Sequence, residues 1–181
     1  MNRALILLML AALTMPAQEN PLSSEAQQSW ARTKNNILGA ANKMPEDKYD
    51  YKPAPESQSF RDLVAHTADS AMGACSGFSG ERKSAGAAQM TAKADLITAL
   101  TAAMTECDNA YASLTDAKAT EMIAGRGGQR SRLGTLYGNT IHIEHEYAQM
   151  AVHLRANGVV PPSSEGRMGG GGGKKGGKKQ Q

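Results

Sequence analysis

RLGTLYGNTIHIEHEYAQMAVHLRANG, residues 132–158, reads as one long helix: no proline interrupts it, Asn157 and Gly158 offer a left-handed cap, and Pro161 and Pro162 forbid continuation. It concentrates metal-capable side chains within about one turn. At ~100° per residue, Glu146 lies about 40° from His142 on one face and His145 lies about 60° to the other side of it. Glu144 is about 200° away and is expected to face elsewhere. His153 returns to the His142 stripe but is displaced ~16 Å along the axis, too far to share an ion, and is expected to be solvated, at a core edge, or a lining residue. The i,i+4 pair His142 and Glu146 has the usual chelating step of a helix.

Outward from this stretch, punctuation marks three more helices. Ser24 followed by Gln27 suggests a capping box for the first, which carries Trp30, Ile37, Leu38 and Ala41 and stops at Met44 and Pro45. The segment PEDKYDYKPAPESQSF, with three prolines, is expected to be an ordered but irregular connection. Ser59 caps a second helix to about Phe78, with Phe60, Leu63, Val64, Thr67 and Ala71 on its apolar face and His66 within it. A Gly/Ser/Lys-rich loop over 79–89 leads to a third helix, about 93–114, where Leu96, Ile97, Leu100, Met104, Cys107 and Tyr111 recur at three- and four-residue steps. A loop containing GRGGQRS precedes the fourth. Strand signals are nearly absent, so the expected fold is an all-α four-helix bundle over 22–164.

Both ends differ from the middle of this 181-residue chain. Asn2 and Arg3, the apolar run over 4–15, and Pro16 with Ala17 follow the order of a secretory signal, residues 1–17, so the protein is expected to be exported to a periplasmic or extracellular space. The run is shorter than the ~20 apolar residues that span a bilayer. From Glu165 to Gln181 the chain reads EGRMGGGGGKKGGKKQQ, an expected disordered tail with too little apolar surface to bury. Its five basic residues against one Glu give +4, more than the +3 of the whole chain, so the body is near neutral. Without interleaved aromatic residues this charge excludes a specific nucleic-acid reading and leaves weak contact with anionic surfaces.

Histidines near one another on a helix are often surface polar groups, and a lone His66 is commonly a hydrogen-bonded core residue. The alternative is a site between two helices, since imidazole nitrogen and carboxylate oxygen suit Zn, Ni or Fe(II), with positions left for water.

The string HIEHEYAQMAVHLRANGVVPPSS resembles the last helix and exit of the DinB/YfiT-like superfamily, and MPEDKYDYKPAPESQSFRDLVAHTADS resembles its first connection and first metal-bearing helix. Several segments match in order over about residues 30–164. The resemblance implies a four-helix bundle in up-down-down-up order, often a dimer, holding a divalent metal through three side chains. His66 matches the first ligand position; His142 and Glu146 match a closing pair that is usually two histidines, so glutamate is a departure, with His145 as the alternate ligand. Family members include thiol transferases, and metal-assisted hydrolysis is equally compatible with such a site. A noncatalytic metal or small-ligand binding protein, and a stress-associated bundle with a vestigial site, are the other readings. The substrate is an unidentified small molecule. The segments around Cys75 and Cys107 also resemble paired cysteine segments of exported members; the pair is a disulfide candidate, or two small buried apolar residues.

Overall fold

The computed structural model describes residues 20–125 and 127–168. Four long helices form the body: α1 (Pro21–Lys43), α2 (Phe60–Phe78), α3 (Lys93–Ala112) and α4 (Arg132–Ala156). The expected signal segment lies outside the described residues.

Caps explain most boundaries. Ser59 accepts from the Asp62 backbone N–H at 3.1 Å while the Asp62 carboxylate accepts from the Ser59 N–H at 3.1 Å, closing a capping box at the start of α2. Ser131 caps α4 through the Gly134 N–H, and Gly158, at φ 73°, supplies the left-handed residue just beyond its end. The first helix departs from expectation: Ser24 and Gln27 form no capping box, and the helix begins at Pro21. Its free N–H groups at Leu22 and Ser23 donate instead to the carboxylate of Asp116, at 3.0 and 2.8 Å. A distant carboxylate thus does the work expected of a local side chain.

Side-chain contacts fix the helix directions. On α2 and α3, Arg61 near one start bonds the Thr91 carbonyl before the other, and Cys75 meets Cys107 further along, so the two are parallel. Thr33 bonds Glu144 and Lys43 reaches the Val160 carbonyl, so α1 and α4 are parallel. Gln27 bonds the Tyr111 carbonyl whereas Lys93 bonds the Met44 carbonyl, so α1 and α3 are antiparallel. His66 lies by His142 whereas His153 bonds the Gln58 carbonyl, so α2 and α4 are antiparallel as well. The order is up-down-down-up, with chain neighbours α1 and α2 on opposite corners.

Trp30, Ile37, Phe60, Leu63, Leu100, Met104, Ile143 and Met150 fill the shared core. Trp30 stacks on Tyr111 at 4.8 Å, its indole N–H donating to Asp108, and the Tyr111 hydroxyl donates to the Leu136 carbonyl at 2.7 Å. Tyr49, in the irregular connection, is buried and donates to the Ala41 carbonyl at 2.6 Å. Cys75 and Cys107 are fully buried, with Cα atoms 4.9 Å apart and sulfurs 1.93 Å apart.

Two further departures lie outside the bundle. The segment expected to be a plain loop forms a hairpin, β1 (Met122–Gly125) paired antiparallel with β2 (Gly128–Ser131), turned by Gly127 and Gly128 at φ 88° and 129°. These angles suit glycine and carry the tight reversal. The tail expected to be disordered from Glu165 instead opens with a helical turn, α5 (Glu165–Met168), where Glu165 pairs with Lys43. The glycine and lysine run beyond it lies outside the described residues.

Candidate metal centre

The centre is built where α2 crosses α4. The cap at Ser59 fixes the register of α2, so Leu63, Val64, Thr67 and Ala71 turn into the core and leave His66 on the edge toward α4. On α4 the core face is Ile143, Tyr147, Met150 and Leu154, which places His142 and Glu146 on the flank that meets α2.

His66, His142 and Glu146 each offer one ligand atom within 4.8 Å of the others. His66 Nε2 is 3.8 Å and His142 Nδ1 3.9 Å from the same oxygen, Oε1 of Glu146. The imidazoles meet edge to face, centroids 5.2 Å apart and planes at 82°. Glu146 is only 4% exposed, whereas both histidines reach solvent. A carboxylate buried to that degree requires positive charge or strong donors near it. Its second oxygen accepts from Gln149 Nε2 at 3.2 Å, leaving Oε1 turned toward the imidazoles.

The donor set fits a divalent ion. With nitrogen and oxygen ligands at ~2.1 Å, a tetrahedral centre has ligands ~3.4 Å apart, slightly closer than the 3.8 and 3.9 Å separations here. Burial holds the His142 imidazole below its ordinary pKa, against the opposing pull of Glu146 and with the help of His66 and His145. Its neutral, ligating form is therefore favoured near pH 7.

His145, the expected alternate ligand, is exposed and stands outside the cluster of His66, His142 and Glu146. The reason is the position of α4 between two neighbours. Glu144 is drawn to α1, accepting from the Thr33 hydroxyl at 2.5 Å, and Glu146 is drawn to α2, so the remaining direction of that turn points to solvent. His153 is a core-edge residue, 4% exposed, with Nδ1 2.9 Å from the Gln149 carbonyl and Nε2 3.1 Å from the Gln58 carbonyl. It pins the start of α2 to α4 rather than joining the centre.

An open cavity of about 960 Å³ adjoins the centre, with His66 and His142 in its wall. Glycines at one-turn spacing, Gly73 and Gly77 on α2 with Gly138 on α4, bare the helix surfaces there, and the hairpin with Arg82, Arg130 and Arg132 completes the lining. Neither Gln149 nor these arginines belongs to a sequence pattern that marks a metal centre. The repeated glycines inside helices were the available signal.

The class is defined by the fold: an all-α four-helix bundle that carries, between antiparallel helices, a His/His/Glu cluster able to hold a metal ion. The family model of the DinB superfamily matches residues 29–150, more than half of the chain, and the chain belongs to that superfamily. No curated protein matches it. Among solved structures it is similar to a DinB-like protein from Bacillus cereus ATCC 10987 (17% identity, 77% of this chain and 95% of that chain, TM-score 0.65). It is similar also to the DinB-like protein YjoA from Bacillus subtilis (23% identity, 74% and 92%, TM-score 0.60). A third is YfiT from Bacillus subtilis, described as a probable metal-dependent hydrolase with an unusual four-helix bundle topology (14% identity, 80% and 93%, TM-score 0.62). At these identities the likeness is one of fold.

Proposed function

We propose that His66, His142 and Glu146 hold one divalent ion, Zn, Ni or Fe(II), and that the protein is a metal-dependent hydrolase acting on a small molecule. The observation that carries this is the three-ligand cluster opening onto a cavity large enough for a substrate. Bound there, the ion would polarise a carbonyl and lower the pKa of a water or thiol. The chain's own part is positional: Gln149 orients Glu146, and His153 holds the start of α2 against α4. The description of YfiT as a probable metal-dependent hydrolase points the same way.

Thiol transfer, the other chemistry that such a site suits, is the weaker fit because we place the protein outside the cytosol. The signal-like residues 1–17 and the apposed Cys75 and Cys107 support export and a disulfide between α2 and α3. Low-molecular-weight thiols are mainly cytosolic. A noncatalytic role, in which the cluster holds a metal or small ligand without turnover, is the other reading of the same geometry.

The test is to load purified protein with Zn, Ni or Fe(II), measure metal per chain, and assay ester, amide and thiol-transfer substrates. Hydrolysis with one equivalent of metal, both abolished by His66→Ala or His142→Ala, is the expected result. Metal retention without turnover gives the binding role, and less than about a tenth of an equivalent after loading gives a vestigial site.

A further inference from the structure

Along α2, Gly73 follows His66 by two turns, ~10 Å, and along antiparallel α4, Gly138 precedes His142 by about one turn, ~6 Å. Because the helices run in opposite directions, both glycines fall on the same side of the donor cluster. Each receives an arginine: a Cβ on Gly73 would stand 3.0 Å from Arg82 Nη2, and one on Gly138 would stand 3.4 Å from Arg130 Nη1. The two guanidiniums thus lie against facing helical walls of the cavity that holds His66 and His142. Any larger residue at Gly73 would displace the first of them.

The neighbouring cations are already matched. Arg132 pairs with Glu121 at 2.9 Å and covers the Phe78 ring, and Lys83 pairs with Glu106 at 3.3 Å. Among the described residues, Arg82 and Arg130 have no carboxylate partner, and no carboxylate lines the cavity. Surface arginines are commonly just solvated. What sets this pair apart is the shared cavity and the bare glycine surfaces on which both lie. A planar guanidinium presents a fork of donors that matches the two oxygens of a carboxylate or phosphate. Beside them, Asn139 is 6% exposed and donates Nδ2 to the Tyr111 hydroxyl at 3.3 Å, while its Oδ1 has no partner among the described residues. That oxygen is itself buried, so the seat rests on the two arginines alone.

We propose that the cavity takes a small molecule bearing an oxyanion, its carboxylate or phosphate seated between Arg82 and Arg130 and its reacting end toward His66 and His142. The glycines under the two arginines are offset by ~10 and ~6 Å along their helices from the histidines, so the seat stands apart from the donor cluster by the order of a short ester or amide with one acidic terminus. This rests on the hydrolase reading for the reacting end, while the arginine seat itself does not require a metal.

The test titrates the full Zn-loaded chain with succinate and, separately, inorganic phosphate by calorimetry at low salt. The expected result is about one equivalent of at least one anion, bound at least tenfold more weakly by Arg82→Met with Arg130→Met, with zinc content unchanged. Preference for succinate assigns a carboxylate substrate, and preference for phosphate a phosphorylated one. The single Arg82→Lys and Arg130→Lys variants, which keep the charge but lose the fork, give the same reading if the double variant does not fold. His142→Ala separates the two ideas: anion binding that survives in it and fails in the arginine variants upholds the seat whatever becomes of the metal. Equal affinity in wild type and arginine variants, loss only in His142→Ala, or no binding of either anion overturns the proposal.

Discussion

Glu146 is the residue on which the centre turns, because a carboxylate with 4% exposure faces two imidazoles through one oxygen and a single amide through the other. Removing a ligand and removing its support should differ in size. Gln149→Ala is expected to weaken zinc about 10- to 100-fold, the usual cost of losing an outer hydrogen bond, and Glu146→Ala to weaken it further. His145→Ala should leave affinity unchanged, since that side chain is exposed and outside the cluster. Competition with a chromophoric chelator reads all three; a loss in His145→Ala matching that in Glu146→Ala would restore His145 as a ligand. The departure from a second histidine was legible in the sequence, and so was the i,i+4 step. The choice between Glu146 and His145 was not, because both lie on the same turn and only the packing of α1 and α2 against α4 decides which points inward.

At the scale of elements, the bounds of α2, α3 and α4 were readable because their signals are local: a cap, a period and a stop. Ser59→Ala removes half of a reciprocal cap and should cost about 1 kcal/mol, measured as a lower denaturation midpoint at unchanged slope. An unaltered midpoint would show that the cap does not contribute. The same caps predict acid sensitivity. The Ser59 hydroxyl bond, and after it the Ser59 N–H, hold the Asp62 carboxyl below its ordinary value. Burial alone would raise Asp69, but the backbone N–H of Ala88, the Ser84 hydroxyl and the N–H of Ala87 outweigh it and leave it lowered. With both carboxyls lower in the folded than in the unfolded state, the unfolded chain takes up protons first as pH falls below ~3.9. Their contribution is therefore complete above that value and lost as pH drops through the folded values. Unfolding free energy measured from pH 5 to pH 2 should fall, and Asp62→Asn with Asp69→Asn should flatten that slope. The element that sequence misassigned, the hairpin over residues 122–131, has too few apolar or β-branched residues to announce strands. Likewise the start of α1 depends on Asp116, 93 residues from Ser23, which no local pattern reveals.

For the whole molecule, α2 and α3 run parallel, so a long loop must return the chain to the same end before α3 begins. Cys75 and Cys107 sit inside that pair, separated by 32 residues. A disulfide closing a loop of this length should contribute about 3 to 4 kcal/mol by restricting the unfolded chain. Reduction under native buffer followed by urea unfolding should show that loss, and alkylation of the unfolded, unreduced protein should leave both cysteines unmodified. Modification of both without reductant would show instead two buried thiols filling the core.

The helices, the bundle class and the short list of metal-capable side chains were legible in the chain alone, because these follow from residue period, caps and the donor atoms of His and Glu. The tertiary structure alone decided which of the listed side chains meet, what caps α1, and that Arg82 and Arg130 share a cavity with His66 and His142. Those are contacts between residues far apart in the chain. They depend on the angle and register at which α2 and α4 pack, which the burial of each whole apolar face sets and no single segment encodes.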